Sequence, residues 1–324
     1  MENKISGMTG ITRKYIEERL AALGVDATLI NRYDEPQRFY HTLDHVIEIL
    51  EYFKRYGALD NDVLFLSAVF HDIIYNPKAL DNELKSKRLF KEVFNGPKEV
   101  KEEVELIIAD TQTHETTSPL SAVFQKADIA VFDKPFEGLL DYENKIFKEF
   151  QYADWKLYRP ERIRVLQQFN IDGKLNNLIS YVANRKPSIG VYAGSFNPFH
   201  KGHYNILQKA EQIFDKVIIA FGKNLEKNNA KWPVPQTISF RQIEEYDGLI
   251  TDFVKSLGYD VTLIRGLRNT EDLKYEMKQY RYMQDFMPEV KVVSLFSDPQ
   301  FEHISSSSIR ILEKYGKHQN YLLE

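Results

Sequence analysis

Residues 189–222 place the tightest constraint on what this chain can fold into. An apolar run ends at Gly194-Ser195-Phe196, a loop carries His200-Lys201-Gly202-His203, and a helical pattern leads into a second apolar run that ends at Gly222. This order predicts a strand, a loop, a helix and a second strand. A loop that leads into a helix aims free backbone N–H groups at an anion, so the segment also predicts a site for phosphate groups.

The alternation of strands and helices continues towards the end of the chain. Further strands are predicted at 261–265 and 290–296, and helices at 202–214, 249–257, 271–286 and 305–315. Short strands separated by helices form parallel sheets with both faces covered, so residues 186–324 are predicted to be a Rossmann-like α/β domain. The polar stretch 224–240 is predicted to be a long loop.

The chain before Arg185-Lys186-Pro187-Ser188 follows a different pattern, in which alternating strand signals are nearly absent. Apolar residues at 46, 49, 50 and 53 have the spacing of a buried helix face, and 63–75 is apolar enough to be a central helix. Residues 1–185 are therefore predicted to be an all-α domain. Its helices are expected at 15–23, 45–53, 63–75, 82–94, 98–109, 118–130, 136–150, 162–169 and 175–184.

The composition limits the classes of function. At 324 residues the chain is long for one core, so two domains are expected. A net charge of −4 and an N-terminus without a long apolar run make nucleic acid and membranes unexpected partners. The absence of cysteine excludes disulfides and thiolate ligands and fits a cytoplasmic protein. Any transition-metal site must then use His, Asp and Glu.

The first half carries a group of histidines and aspartates in apolar surroundings. His41 and His45 are four residues apart, so a helix through 40–45 would place both on one face. The pair His71-Asp72 ends the most apolar helix, and Asp128 lies inside another apolar segment. Such groups are costly to bury unless they are paired or bind a cation, and one divalent metal would satisfy all of them. Each residue taken alone could equally be a satisfied core residue.

The local sequences Tyr40-His41-Thr42-Leu43-Asp44-His45 and Phe70-His71-Asp72, followed by an Asp about fifty residues later, resemble the HD superfamily of metal-dependent phosphohydrolases. The resemblance covers residues 28–180. It implies a divalent transition metal (Mn, Fe, Zn or Ni) and makes His41 the general acid, or alternatively a ligand of a second metal. The implied metal ligands are His45, His71, Asp72 and Asp128. Asn82, Glu83 and His114 are further candidates, with surface or capping polarity as the alternative explanation.

The second half adds two groups of phosphate-binding residue types to the loop histidines. Arg265 and Arg268 flank Gly266 at the end of a predicted strand, where guanidinium groups can clamp phosphate oxygens. Four serines, Ser305–Ser308, begin the last predicted helix, either as caps or as a cradle for a triphosphate. Taken alone, the two arginines could simply be surface residues. Taken alone, the two loop histidines could occur together by chance.

Read together, GSFNPFHKGH, FDKVIIAFGKN, TLIRGLRNTEDLKYEMKQY, MPEVKVV and ISSSSIR resemble the pantetheine-phosphate adenylyltransferase family of the HxGH nucleotidyltransferase superfamily, over residues 188–316. The resemblance implies transfer of AMP from ATP, accompanied by Mg²⁺, to 4′-phosphopantetheine. It implies that His203, assisted by His200, stabilises the α-phosphate in the transition state.

The same resemblance assigns the binding residues. It implies that Ser195, Lys227 and Arg265 hold the acceptor phosphate, with Lys231 as a rival for Lys227. The ATP phosphates would be held by Arg268, Ser305, Ser306 and Ser307, and the nucleotide side by Glu276 and Asp272. Gly194, Phe196 and Gly266 complete the predicted ATP- and substrate-binding set.

These features predict a bifunctional enzyme: an HD-type hydrolase of unknown substrate followed by an adenylyltransferase. Three alternatives stay open. The transferase could use nicotinamide mononucleotide or another nucleotide as acceptor. The hydrolase could be the working part, with the other half a nucleotide sensor. The helical half could be a structural or oligomerisation module, and a homo-oligomer is compatible with the sequence.

Overall fold

The computed structural model describes residues 10–223 and 232–323. The described residues fall into two compact units. The helical unit comprises the residues up to Glu149 together with Leu166–Ile179, and the sheet unit comprises Phe150–Val165 together with the residues from Ser180 onward. A helical N-terminal region and a parallel α/β region in the C-terminal part are therefore confirmed. In the ranges described, no helix has both the length and the apolar character needed to cross a membrane.

Helices account for most of the chain before residue 185, and the predicted helix pattern is close to the observed one, except that the helix predicted at 162–169 begins at Trp155. Short 3₁₀ segments lie at Ala27–Asp34, Ile129–Asp133 and Ile171–Gly173. The helices are α1 (Arg13–Ala22), α2 (Leu43–Arg55), α3 (Asp62–Phe70), α4 (Asn82–Val93), α5 (Lys98–Thr113), α6 (Pro119–Asp128), α7 (Phe136–Glu149), α8 (Trp155–Gln168) and α9 (Asn176–Asn184).

Helix α3 is the central element of the helical unit. Every residue from Leu64 to Phe70 is buried, so this helix is surrounded by its neighbours rather than lying on the surface. It ends at Phe70, earlier than the predicted Tyr75. The reason is that the backbone beyond His71 finds other partners: the Ile74 N–H donates to Ser86 Oγ at 3.1 Å. A helical pattern in the sequence could not reveal this tertiary hydrogen bond.

Helix α2 begins at Leu43, and the predicted helix through residues 40–45 is wrong. The backbone N–H groups of Phe39, Tyr40 and His41 donate to Glu149 Oε1 at 2.8, 2.7 and 2.9 Å. Three consecutive N–H groups that converge on one carboxylate cannot also continue a helix. His41 therefore lies in the loop before α2, whereas His45 lies in its first turn.

The sheet unit is built on five parallel strands in the order β3-β2-β1-β4-β5. Strand β3 was not predicted, because its sequence, QIEEY, is largely polar and it lies at one edge of the sheet. The strands are β1 (Ile189–Gly194), β2 (Lys216–Gly222), β3 (Gln242–Tyr246), β4 (Thr262–Leu267) and β5 (Lys291–Phe296). The intervening helices are α10 (Lys201–Ala210), α11 (Ile250–Leu257), α12 (Thr270–Phe286) and α13 (Ser306–Glu313).

The strand order reverses at β1, which pairs with β2 on one side and with β4 on the other. In open parallel sheets, ligands bind beyond the carboxyl ends of the strands at such a reversal. The loop after β1 carries residues 195–200, and β4 ends at Leu267 with Arg268 following. The topology therefore brings the two predicted phosphate-binding segments to the same edge of the sheet.

Candidate functional site

Three residues in the helical unit form a cluster with the composition of a metal site. His45, His71 and Asp128 each offer a ligand atom, and these atoms all lie within 4.8 Å of one another. Asp128 Oδ1 is 3.0 Å from His45 Nε2 and 3.5 Å from His71 Nε2. The cluster joins the start of α2, the end of α3 and the end of α6. Asp72 adjoins it, with Oδ2 at 2.9 Å from His71 Nε2.

The tautomer of His71 shows that these residues fit a divalent cation. His71 Nδ1 donates to the Ala68 carbonyl at 3.0 Å, which leaves a lone pair on Nε2. That buried Nε2 makes no well-directed hydrogen bond, although two carboxylates lie beside it. Burial alone would lower the pKa of His71, but Asp72 and then Asp128 raise it to about 9. The two carboxylates therefore favour a positive charge at His71 Nε2, either a proton or a bound metal ion.

His41 is held by a buried carboxylate that sequence reasoning missed. The Glu149 side chain is fully buried, and its Oε2 lies 2.6 Å from His41 Nδ1 and 2.7 Å from the Tyr75 hydroxyl, which donates to it. The His41 ring also stacks on Tyr75, with centroids 4.4 Å apart. The available signal was the position of Glu149 on the buried face of α7, three residues after Ile146. The Nδ1 contact leaves His41 Nε2 as the free ring nitrogen.

The pKa values of this pair follow from their contact. Burial opposes charge on both groups, but the Glu149 carboxylate raises the pKa of His41. In turn, and against burial, the His41 charge and the backbone N–H groups lower the pKa of Glu149 to about 2. The contact therefore favours the imidazolium form of His41 and the carboxylate form of Glu149.

The three further candidates in this half have different surroundings. Asn82 Oδ1 accepts the Asn76 N–H, and Asn82 Nδ2 donates to the Asn76 carbonyl, both at 3.0 Å. This side chain therefore clamps a turn, as the capping alternative expects. His114 ends α5 in the left-handed conformation, with φ 57°, and its ring contacts Phe169. Burial raises the pKa of Glu83.

In the sheet unit, the side chains of the two loop histidines accept backbone N–H groups at the start of helix α10 and so cap it. His200 Nδ1 accepts the N–H groups of Gly202 and His203 at 3.1 and 3.4 Å, and His203 Nδ1 accepts the His200 N–H at 3.3 Å. The rings stack with centroids 3.6 Å apart. Because both Nδ1 atoms accept hydrogen bonds, both imidazoles are neutral and carry their proton on Nε2. The motif therefore presents two Nε2–H donors.

Burial keeps these histidines neutral over a wide pH range. Burial, reinforced by the charge of Arg268, lowers the pKa of His200 to about 4. Burial, His200 and Arg268 together hold the pKa of His203 well below its ordinary value. Neutral donors can stabilise a developing phosphoryl charge without a change of protonation state.

The two arginines at the end of β4 each form an ion pair with a carboxylate on α12. Arg268 contacts Asp272 in a bidentate manner, with Nε–Oδ2 at 2.8 Å and Nη2–Oδ1 at 2.9 Å. Arg265 Nε lies 3.0 Å from Glu276 Oε2. Asp272, which the resemblance places at the nucleotide, therefore also fixes the direction of the Arg268 guanidinium. Arg265 Nη1 donates to the Ala193 carbonyl at 3.3 Å, while the facing Arg265 Nε and Glu276 Oε2 make no well-directed hydrogen bond.

The serines of the last helix have several partners. Ser305 caps α13 by accepting the Ser308 N–H at 3.1 Å. Ser306 Oγ donates to the Pro198 carbonyl at 3.0 Å, and Arg310 donates to both Ser307 Oγ and the Asn197 carbonyl. These bonds join the N-terminus of α13 to the loop after β1. Capping, the alternative explanation, is thus present for Ser305 beside any binding role.

One cavity of about 510 Å³ brings the predicted residues together. Lys227 and its rival Lys231 lie outside the described residues. Tyr192, Tyr275 and Ser297 also line the cavity and were not predicted, although Tyr192 lies only two residues before the predicted loop. The predicted residues that line it are Gly194, Ser195, Phe196, His200, His203, Arg265, Gly266, Arg268, Asp272, Glu276, Ser305, Ser306 and Ser307.

Comparisons with known proteins bear on the sheet unit. A phosphopantetheine adenylyltransferase of Mycoplasma capricolum subsp. capricolum is 37% identical over 139 residues, which are 40% of this chain and 99% of that protein. One of Cytophaga hutchinsonii is 36% identical over 136 residues, 39% of this chain and 90% of that protein.

A solved structure also aligns, a bifunctional NMN adenylyltransferase/ADP ribose pyrophosphatase from Francisella tularensis complexed with AMP and a Mn ion. It is 16% identical, the match covers 42% of this chain and 44% of that one, and the TM-score is 0.31. A likeness at this TM-score supports no functional conclusion.

The predicted resemblance of the second half is confirmed at the level of the family, whereas that of the first half to the HD superfamily stays a prediction. Residues 191–311 match the family described as cytidylyltransferase-like. Over this region the chain belongs to the cytidylyltransferase-like family, in the group that contains the phosphopantetheine adenylyltransferases.

Proposed function

We propose that the sheet unit transfers AMP from ATP to the phosphate of 4′-phosphopantetheine, forming dephospho-CoA and pyrophosphate. The observation that carries the proposal is the cavity in which two neutral histidines, two ion-paired arginines and the N-terminus of α13 converge. The names of the relatives support the choice of acceptor. ATP would enter with Mg²⁺, which screens the negative charge of its phosphates.

The reaction is an in-line displacement at the α-phosphorus. An oxygen of the acceptor phosphate forms a bond to that phosphorus, and the bond to the bridging oxygen of the β-phosphate breaks with release of pyrophosphate. His203 donates its Nε2–H to an α-phosphate oxygen as charge develops there. His200 accepts the His203 N–H and so holds the start of α10 in place. Positioning and electrostatic stabilisation supply the catalysis, and no covalent enzyme intermediate forms.

The phosphates would lie between the arginines and the serine helix. Arg265 and Arg268 are ion-paired with Glu276 and Asp272 before any ligand binds, and the bidentate contact of Arg268 means that this side chain loses little freedom on binding. The N-terminus of α13 adds free backbone N–H groups and a favourable helix dipole. Ser195 and Arg265 face the acceptor in this arrangement, and the remaining acceptor contact, Lys227, lies outside the described residues.

The experiment that tests this proposal measures pyrophosphate release with ATP, Mg²⁺ and one acceptor at a time. We expect release with 4′-phosphopantetheine and a loss of about 100-fold in kcat for His203→Ala. The control is His303→Ala, because His303 is exposed and does not line this cavity. Release with nicotinamide mononucleotide or another mononucleotide, but not with phosphopantetheine, would establish the alternative acceptor instead.

A second activity, metal-dependent phosphohydrolysis, is favoured by the His45–His71–Asp128 cluster of the helical unit. These three residues would hold Mn, Fe, Zn or Ni, with Asp72 as a fourth ligand. A bound cation would supply Lewis-acid activation of water and of a phosphoryl oxygen. His41 contributes a proton from Nε2 to the leaving oxygen, because Glu149 holds Nδ1 and favours the protonated ring.

Metal uptake tests this second activity directly. We expect the protein to retain one of these metals after desalting, and His71→Ala to lose it. His114→Ala serves as the control, since His114 lies outside the cluster. A wild-type protein that takes up none of the four metals would instead support a structural or oligomerisation role for the helical unit.

The substrate of the helical unit is addressed by a screen of phosphomonoesters and nucleotides against wild type and Asp72→Ala. Hydrolysis that is abolished in Asp72→Ala would come from the metal site, and hydrolysis that is unchanged would not. The nucleotide-sensor alternative for the sheet unit would be supported by two results together. The wild-type protein would show no adenylyl transfer, and His203→Ala would still hydrolyse the substrate.

A further inference from the structure

Tyr192 contributes a hydroxyl group to the lining of the sheet-unit cavity. Its side chain is only 4% exposed, and its ring packs edge-on against Phe196 with centroids 4.9 Å apart. The residue lines the cavity, and its hydroxyl makes no hydrogen bond to any part of the chain that the structure describes. The hydroxyl oxygen is not among the buried, unsatisfied side-chain atoms of the described residues, so it is open to the cavity, and a donor that the protein itself does not use there is available to a ligand.

The direction of this hydroxyl is given by Gly266. A Cβ atom added to Gly266 would lie 3.3 Å from the Tyr192 hydroxyl oxygen and 3.0 Å from Ile206 Cγ1. The hydroxyl therefore points at the backbone between Arg265 and Arg268. The absence of a side chain at residue 266 leaves the space around it open.

The surroundings keep the hydroxyl protonated. Burial raises the pKa of Tyr192, and the charges of Arg265 and Arg268 oppose that shift only in part. A protonated phenol is a donor, and both neighbouring guanidinium groups are also donors. The three groups together therefore suit a ligand that offers several anionic oxygens at one place.

Packing alone does not account for a tyrosine at this position. The ring lies in an apolar cluster with Phe196, Phe199 and Ile206, which a phenylalanine would fill equally well. The hydroxyl is thus better explained by a bound partner than by the core.

We propose that Tyr192 is a further substrate-binding residue, whose hydroxyl donates a hydrogen bond to a phosphate oxygen of a nucleoside triphosphate held between Arg265 and Arg268. This inference rests on the proposed adenylyltransferase function and adds a contact that the motif residues do not include. The substitution Tyr192→Phe removes the one oxygen atom and preserves the ring packing.

The test measures ligand binding to the full-length chain by calorimetry, with ATP and with adenosine. We expect Tyr192→Phe to raise the Kd for ATP about tenfold and to leave the Kd for adenosine unchanged. The control is Tyr315→Phe, because Tyr315 is 73% exposed and lies outside the cavity. It should bind both ligands as wild type does.

Two outcomes would overturn the proposal: a wild-type Kd for ATP in Tyr192→Phe, or an equal weakening of ATP and adenosine, which would indicate a packing defect. Because this experiment uses no acceptor, it stays informative if the protein fails to adenylylate phosphopantetheine. That failure would contradict the proposed function. The Kd of Tyr192→Phe for ATP would still show whether the Tyr192 hydroxyl contacts a phosphate oxygen.

Discussion

The Nδ1 atom of His41 lies 2.6 Å from Oε2 of Glu149, a residue 108 positions further along the chain. The other oxygen of the same carboxylate accepts three consecutive backbone N–H groups, including that of His41 itself. One buried side chain thus determines both the backbone and the ring orientation of the predicted general acid. Glu149 is therefore a positioning residue for the proposed hydrolase.

Glu149→Gln is expected to destabilise the helical unit. The folded pKa of Glu149 is about 2, below its ordinary value of 4.5, so its ionised form stabilises the fold above pH 4.5 and this contribution disappears as the pH falls through about 2. The variant should lose a few kcal/mol, on the order of 2–3, at pH 7 and become less sensitive to acid. Urea unfolding at pH 7, 5 and 3 measures this.

The matched control for that experiment is Glu137→Gln, on the exposed part of the same helix. It should keep the wild-type pH dependence of unfolding. Equal stabilities of Glu149→Gln and wild type at all three pH values would contradict the role assigned to the buried carboxylate.

The adenylyl-transfer reaction should show no titration near the ordinary pKa of histidine. Burial lowers the pKa of His200 to about 4 and that of His203 well below 6.5, so the neutral, donating forms persist through the physiological range. We expect kcat/KM to be level from pH 6 to pH 8 and to fall only as the pH approaches 4. A steady-state pH profile tests this, and an acidic limb centred near pH 6.5 would show that at least one imidazole is solvated and protonated.

Arg310→Met is expected to weaken ATP binding through the loop after β1. The guanidinium of Arg310 donates to the Asn197 carbonyl and to Ser307 Oγ, at 3.0 Å for the latter, and so ties that loop to α13. Its loss should raise the KM for ATP about tenfold, because the two phosphate-binding segments are no longer held together. Steady-state kinetics measures the KM for ATP, with Arg281→Met as the exposed control. If Arg310→Met and Arg281→Met have the same KM for ATP, this coupling is excluded.

Lys216 should make the stability of the sheet unit depend on alkaline pH. Its side chain is 1% exposed and donates to the carbonyls of Gln151 and Ala153. Burial lowers its pKa to about 7 from 10.5, so the unfolded state binds more protons between these values and stability rises with pH in that window. We expect Lys216→Met to remove this rise. Denaturant unfolding at pH 6.5, 8 and 9.5 checks the prediction, and identical slopes in both proteins would contradict it.

The amino-acid sequence alone was sufficient to predict the two architectural classes and most of the functional residues that line the sheet-unit cavity. Helical and strand periodicities are local properties, and a change between them can be read at 185–188. In a parallel sheet the carboxyl ends of the strands share one edge, so motifs that follow β1 and β4 must meet there. This is why the amino-acid order alone predicts that residues as distant as His203 and Ser305 lie in one site.

Features that depend on contacts between distant residues became apparent in the folded chain and not in the sequence. The start of α2 at Leu43 is set by Glu149, and edge strand β3 is stabilised by its pairing with β2 rather than by its own polar sequence. Residues 150–165 group with the sheet unit, where the buried amine of Lys216 donates to their carbonyls. The hydrophobic pattern of β1 likewise does not reveal that the Tyr192 hydroxyl lines the cavity. Hydrogen bonds between remote residues leave no repeat in the sequence, and so their consequences appear only once the chain has folded.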